Sequence, residues 1–210
     1  MEYRTVSEFG TDSFIEKKSK FIGYCLPVQT EEDAQTFIKE IKQKHKDATH
    51  NVWAYSLKNG SVFRYSDDGE PQGSAGIPVL DVLRKSNTLD AVIVATRYFG
   101  GILLGGGGLV RAYSHTASVA MTSAKPVIMK ECVLATICLD YTYLAKVQEY
   151  CQIGNIIIDD IIYEDKVKLN IHALESDLLK LKKQYTELTN GKSEITEIDR
   201  GFYSFPIESE

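Results

Sequence analysis

Several features that identify common classes of protein are missing from this 210-residue sequence. No segment approaches the ~20 consecutive apolar residues that span a bilayer, which excludes an α-helical membrane protein. The first ten residues, MEYRTVSEFG, lack a basic start followed by an apolar run. There is no sign of a secretory signal, and we therefore expect a cytoplasmic protein.

Cysteine is scarce, and its spacing is unlike that of a metal site. The four cysteines, at positions 25, 132, 138 and 151, include no CxxC pair, the spacing typical of zinc and redox sites. Three of them lie in apolar contexts, where a free thiol behaves as a small hydrophobic side chain. We expect neither a disulfide nor a bound zinc.

The common nucleotide-binding fingerprints are also absent. Six glycines stand among the nine residues from Gly100 to Gly108, a segment that we call the glycine loop. The P-loop pattern GxxxxGK[ST] fails because glycine follows Gly106 where lysine is needed, and GxGxxG fails because Arg111 occupies its last position. We therefore predict no bound cofactor.

The composition is that of an ordinary globular protein, with 43% hydrophobic and 25% charged residues. The length suits two domains, which we place at residues 1–130 and 131–210. The net charge of -5 is divided unevenly, with +2 in residues 1–130 and -7 in residues 131–210. The two halves are therefore expected to face different partners.

Hydrophobic periodicity predicts an α/β first half. A strand at 20–28 precedes an amphipathic helix from about 31 to 46, and a hairpin joins 50–57 to 61–66 through an Asn59-Gly60 turn. A helix from about 77 to 85 then leads to the apolar run at 90–99, which is typical of a central strand. The pattern restarts after Pro126 as βαββαβ, a ferredoxin-like arrangement.

The glycine loop lies between that central strand and a helix, which is a favourable arrangement for binding an anion. Arg97 ends the strand, and we expect Arg111 in the first turn of the helix. The polar side of this helix carries Arg111, Ser114, His115, Ser118 and Thr122, with no lysine or glutamate. The alternative is that the glycines only permit a tight chain reversal. The predicted anion or nucleic-acid site consists of Arg97, Gly105, Gly106, Gly107, Gly108, Arg111, His115 and Ser118.

A second candidate surface is the acidic loop, residues 66–78, SDDGEPQGSAGIP. Asp67, Asp68 and Glu70 match no calcium-loop spacing, and turn formation with Ser74 as a helix cap accounts for most of the segment. An enzyme interpretation would combine these carboxylates with His50 or His115 as general acid and base. We predict no metal here.

The strongest motifs are KSKFIG at 18–23, ATHNVWAY at 48–55, DDGEPQGSAGIPVLDVL at 67–83 and RYFGGILLGGGGLVRAY at 97–113. They resemble those of the IMPACT family, in particular its bacterial YigZ-like branch. The resemblance implies an N-terminal domain with a left-handed βαβ crossover, as in a ribosomal protein and elongation factor G, followed by a small ferredoxin-like domain. Eukaryotic members of the family bind an activator of a starvation-responsive kinase, which implies a link to translational control.

Our leading hypothesis is a non-enzymatic cytoplasmic protein that binds RNA or a translation-associated partner. One alternative is an enzyme acting on a small phosphorylated molecule, with a divalent ion on the acidic loop opposite the glycine loop. The other is a module that binds only protein. The sequence does not specify an oligomeric state.

Overall fold

The computed structural model of the protein describes residues 2–58, 62–191 and 194–207. They form two compact units, one of residues 3–128 with 204–207 and the other of residue 2 with 129–203. We keep 1–130 and 131–210 as the proposed domain boundaries. Within the described residues, no helix is both long and apolar enough to cross a membrane.

The N-terminal unit is built on a sheet with strand order β2-β3-β6-β4-β5. All four neighbouring pairs are antiparallel. Because β3 and β4 both pair with β6, they run parallel to each other, and α1 makes the crossover between them. The left-handedness of this crossover stays a prediction of the resemblance. The elements are β1 (Glu2–Val6), β2 (Gly10–Glu16), β3 (Ser19–Pro27), α1 (Glu31–Lys44), β4 (His50–Leu57), β5 (Val62–Ser66), α2 (Gly76–Lys85), β6 (Ala91–Tyr98) and α3 (Gly106–Ser123).

Helices cover both faces of this sheet. Phe37 and Ile38 of α1 pack in one core with Val92 and Val94 of β6. The alternate β6 residues, including Ile93, lie in a second core with side chains of α2 and α3. Strand β6 is therefore buried on both sides, as its apolar sequence predicts.

Most predicted elements of this unit are confirmed, but two strands were missed. The hairpin of β4 and β5 forms with Leu57 opposite Val62, while the predicted Asn59-Gly60 turn lies outside the described residues. Neither β1 nor β2 was predicted. Strand β2, GTDSFIE, is an edge strand whose residues are mostly exposed, so it lacks the apolar alternation that reveals a strand.

The C-terminal unit has the predicted βαββαβ order, in which β7 pairs with both β9 and β10, and β9 pairs with β8. This is the ferredoxin-like arrangement. Helices α4 and α5 contribute Val147, Cys151, Leu178 and Leu181 to a core with the sheet. The elements are β7 (Pro126–Leu139), a 3-10 turn (Tyr141–Tyr143), α4 (Leu144–Ile153), β8 (Ile157–Tyr163), β9 (Val167–Ala173), α5 (Glu175–Thr189) and β10 (Ile195–Pro206).

Candidate anion-binding site

Asp67 of the acidic loop binds backbone N–H groups at and just before the start of α2. Its carboxylate accepts hydrogen bonds from the backbone N–H groups of Gly73, Ala75 and Gly76, at 2.9, 3.1 and 2.8 Å. Those of Ala75 and Gly76 are donors at the helix start that have no partner within the helix. The expectation that Ser74 caps α2 is wrong, because the N-cap residue is Ala75 and the Ser74 hydroxyl donates to the Pro71 carbonyl.

Asp68 is also occupied by partners inside the chain. One oxygen accepts from Lys42 Nζ at 2.6 Å, and the other accepts from the Asn51 backbone N–H at 2.6 Å. Among the described residues, no group of three or more His, Cys, Asp or Glu side chains is arranged to hold a metal ion. The geometry gives no support to a divalent ion shared by Asp67, Asp68 and Glu70.

Glu70 joins a buried network with Arg97 and Tyr113. Its Oε1 accepts from Arg97 Nη1 at 2.6 Å and from the Tyr113 hydroxyl at 2.8 Å. The side chains of Glu70 and Arg97 are only 3% and 6% exposed. Burial, followed by the charge of Glu70, raises the pKa of Tyr113, which keeps this hydroxyl protonated as a donor. The expected phosphate contact by Arg97 needs correction, because Glu70 neutralises its charge.

His50 lies beside this pair. It is the register partner of Arg97 across β4 and β6, and its Nε2 is 3.8 Å from Glu70 Oε1. Its Nδ1 is 2.8 Å from the Asp68 carbonyl oxygen. Since a carbonyl oxygen only accepts, Nδ1 carries the proton, and in the neutral ring Nε2 is left as an acceptor.

Besides Gly101, which has a φ of 83°, two positions of the glycine loop need glycine for structural reasons. A Cβ on Gly100 would lie 2.0 Å from the backbone of Lys18, so the chain approaches too closely there for any side chain. Gly105 is the N-cap residue of α3 and has a φ of 73°, which favours glycine. The Ser19 hydroxyl accepts from the Gly100 N–H at 3.2 Å and fixes the entry to the loop.

Gly106 and Gly107 differ from these two. A Cβ on Gly106 would meet nothing within 4 Å, and one on Gly107 would meet only the end of the Arg111 side chain at 3.7 Å. No side chain caps α3, and the N–H groups of Gly106, Gly107 and Gly108 donate no hydrogen bond to any described residue. No contact with the described residues accounts for glycine at positions 106 and 107.

A pocket of about 440 Å³ brings parts of both loops together. Gly105 and Gly106 form one side, and Glu70, His50 and Arg97 form another. The remaining wall is largely apolar and includes Phe99 and Leu103, which are 44% and 82% exposed. The structure therefore joins residues that the sequence analysis assigned to two separate surfaces.

A smaller, basic pocket of about 270 Å³ shares Leu104 with this one and includes Gly108. Arg111, His115 and Lys17 line it, together with Glu16. Arg111 is exposed and has no ion pair or hydrogen bond within the described part of the chain. Ser118 is exposed further along α3.

The predicted faces of α3 are confirmed, while its predicted start is wrong. Leu109, Ala112, Tyr113, Thr116, Ala117 and Ala120 are the buried residues, as the helical pattern indicates. However, α3 begins at Gly106, so Arg111 lies in its second turn rather than its first. Arg111 is therefore less opposed by the helix dipole than expected, since that effect is strongest in the first turn.

Comparison with known proteins supports the resemblance read from the motifs. The family model described as the Impact N-terminal domain matches residues 17–121. The IMPACT family member YvyE of Bacillus subtilis (strain 168) is 40% identical over 93% of this chain and 90% of its own length. The chain belongs to the IMPACT family. A second model, a domain of unknown function (DUF1949), matches residues 137–192.

Two further relatives support this membership. The IMPACT family member YigZ of Escherichia coli (strain K12) is 40% identical over 50% of this chain and 53% of its own length. A crystal structure described as that of a hypothetical protein is 26% identical and has a TM-score of 0.59. It covers 94% of this chain, and the match covers 98% of that protein. The likeness to this structure extends over both units.

Sequence reasoning missed three residues of these pockets, namely Phe99, Leu103 and Lys17. It also missed Tyr113, which lines neither pocket but donates a hydrogen bond to Glu70. Lys17 lies in the turn between β2 and β3, and β2 itself was not predicted. Pairing of β2 with β3 places Glu16 opposite Ser19, and this pairing holds Lys17 beside the glycine loop.

Proposed function

We propose that this IMPACT family protein is a non-enzymatic RNA-binding protein with a role in translation, and that RNA phosphates bind at the start of α3. The observation that carries the proposal is the pair Gly106 and Gly107, whose missing side chains no internal contact explains. Glycine costs up to about 1 kcal/mol in a helix. A phosphate held by the free N–H groups would account for that cost, because it needs the space that a Cβ would occupy.

Charge supports the same proposal. Arg111 and Lys17 are exposed beside Gly108, where they would contact neighbouring phosphates of one strand. Exposed Phe99 offers an aromatic surface for an unstacked base, as in many single-strand binding proteins. The role in translation rests on family membership and on the activity of eukaryotic members that the resemblance implies.

The first test is binding of a fluorescent single-stranded RNA at several salt concentrations. Replacing Arg111 and Lys17 by alanine should lower the affinity about tenfold, and each lost phosphate contact should reduce the salt slope by about 0.7. Arg64→Ala is the control, since it removes an exposed arginine from β5. Unchanged affinity and slope in the double variant would overturn the proposal.

A second candidate function is binding to a protein partner. It is favoured by a group of exposed apolar side chains at the glycine loop and α3, namely Phe99, Ile102, Leu103 and Val110. Capture of partners from lysate with and without RNase separates the two functions. A partner that survives RNase treatment and is lost on Leu103→Ser would support this second candidate.

A further inference from the structure

The larger pocket contains a buried acceptor that the anion site does not use. Glu70 Oε1 is occupied by Arg97 and Tyr113, but no described residue donates to Oε2. Nor is Oε2 among the fully enclosed unpaired atoms of the described residues. Glu70 lines the pocket although its side chain is only 3% exposed, so Oε2 is the acceptor that it can offer to a ligand there.

His50 places a second acceptor next to this carboxylate. The bond from Nδ1 to the Asp68 carbonyl leaves Nε2 with a lone pair in the neutral ring, and Nε2 lies 3.8 Å from the carboxylate. The floor of the pocket thus presents two neighbouring acceptors. A ligand that fits must offer two adjacent donors there and a negative group to the N–H group of Gly106.

The Watson–Crick edges of the nucleobases differ in this property. Guanine presents two adjacent donors, N1–H and the N2 amino group, whereas uracil presents one N–H between two carbonyl acceptors. A uracil edge would therefore direct its carbonyl oxygens at Glu70 and His50. Phe99 at the pocket wall supplies a flat surface for the ring.

Resting on the proposed function, we propose that this pocket is a guanosine phosphate site. The guanine edge donates to Glu70 Oε2 and His50 Nε2, and the phosphate binds at the edge of the pocket formed by Gly106. Its volume of about 440 Å³ is large enough for a nucleoside. The same chemistry is available from a free guanine nucleotide or from a guanosine within an RNA strand.

The test is calorimetric titration of the full chain with GMP, AMP, CMP and UMP, in parallel with the oligonucleotides U8 and U4GU3. We expect binding about tenfold tighter for the guanine ligand than for its uracil counterpart, the discrimination typical of a paired base edge. Preference seen with GMP as well as U4GU3 indicates a free-nucleotide site, and preference in the oligonucleotide alone indicates an RNA site. Equal affinity for guanine and uracil ligands would overturn this inference, and tight binding of U8 would still support the proposed function. Failure of every ligand to bind would overturn both.

Two variants keep the inference testable without disturbing the buried Glu70–Arg97 pair. His50→Ala should abolish the preference for guanine and leave the affinity for U8 unchanged. If His50 had only a structural role, its loss would weaken the binding of guanine ligands and of U8 alike. Phe99→Ala should weaken all ligands, and Tyr65→Ala is its matched control because Tyr65 is similarly exposed, at 45% against 44%. A His50→Ala protein that still prefers guanine would contradict the assigned contact.

Discussion

The aspartates of the acidic loop and the glycines at the start of α3 both look functional in the sequence, but only the glycines leave their polar groups unused. The carboxylates of Asp67 and Asp68 are occupied by partners inside the same unit. The N–H groups of Gly106 and Gly107 have no partner among the described residues. A cluster of polar groups therefore indicates a binding site when the fold leaves those groups without hydrogen-bond partners.

The two arginines that flank the glycine loop differ in the same way, one being paired within the fold and the other not. Arg97 is buried and paired with Glu70, whereas Arg111 is exposed without an acidic partner in the described chain. The first therefore stabilises the fold, and the second is available to a ligand. Substitutions at these loops should separate effects on stability from effects on binding.

The largest effect is expected from Arg97→Ala. Removal of the guanidinium leaves the Glu70 carboxylate buried without its cation, which typically costs about 3–5 kcal/mol of unfolding free energy. Urea unfolding measures the loss, with Arg84→Ala as the exposed control. A loss below about 1 kcal/mol would show that the pair is not a structural element.

Asp67→Ala should have the next largest effect. Three backbone N–H groups lose a charged acceptor, and we expect about 2–3 kcal/mol of destabilisation. Asp81→Ala, on the exposed side of α2, should change stability by less than about 0.5 kcal/mol. If Asp67→Ala stays fully stable but loses RNA affinity, the acidic loop is a binding surface and the comparison is wrong.

The smallest and most specific effect is expected at Gly106. Alanine there meets nothing within 4 Å, so it should stabilise the fold by about 0.5 kcal/mol while it weakens RNA binding about threefold. Gly100→Ala is the counterpart, because its Cβ would collide with the Lys18 backbone. It should destabilise the fold. A Gly106→Ala protein with full RNA affinity would remove the main support for a phosphate at this position.

Much of the fold was readable from local patterns, since those patterns report burial directly. The apolar run of β6 and the helical period of α3 predicted which residues are buried, and βαββαβ predicted the C-terminal topology. Strand β2 could not be found, because an exposed edge strand has little apolar signal. Lys17, which β2 positions, was missed for the same reason.

The site was only half predictable, because its pairings join distant parts of the chain. Arg97 and Glu70 lie 27 positions apart, and Tyr113 and Glu70 lie 43 apart. Their meeting depends on sheet order, which no local pattern specifies. The glycine loop was identified by composition alone, but only the structure separates Gly100, which the fold requires, from Gly106, which it does not.

The most direct test of the central claim is an NMR titration of the full chain with a short single-stranded RNA, followed through backbone amide resonances. The account predicts that the amides of Gly106, Gly107 and Gly108 shift on binding. The amides of Gly73 and Gly76 already donate to Asp67, so their resonances should not shift. RNA binding that leaves the three α3 glycines unshifted would contradict the account.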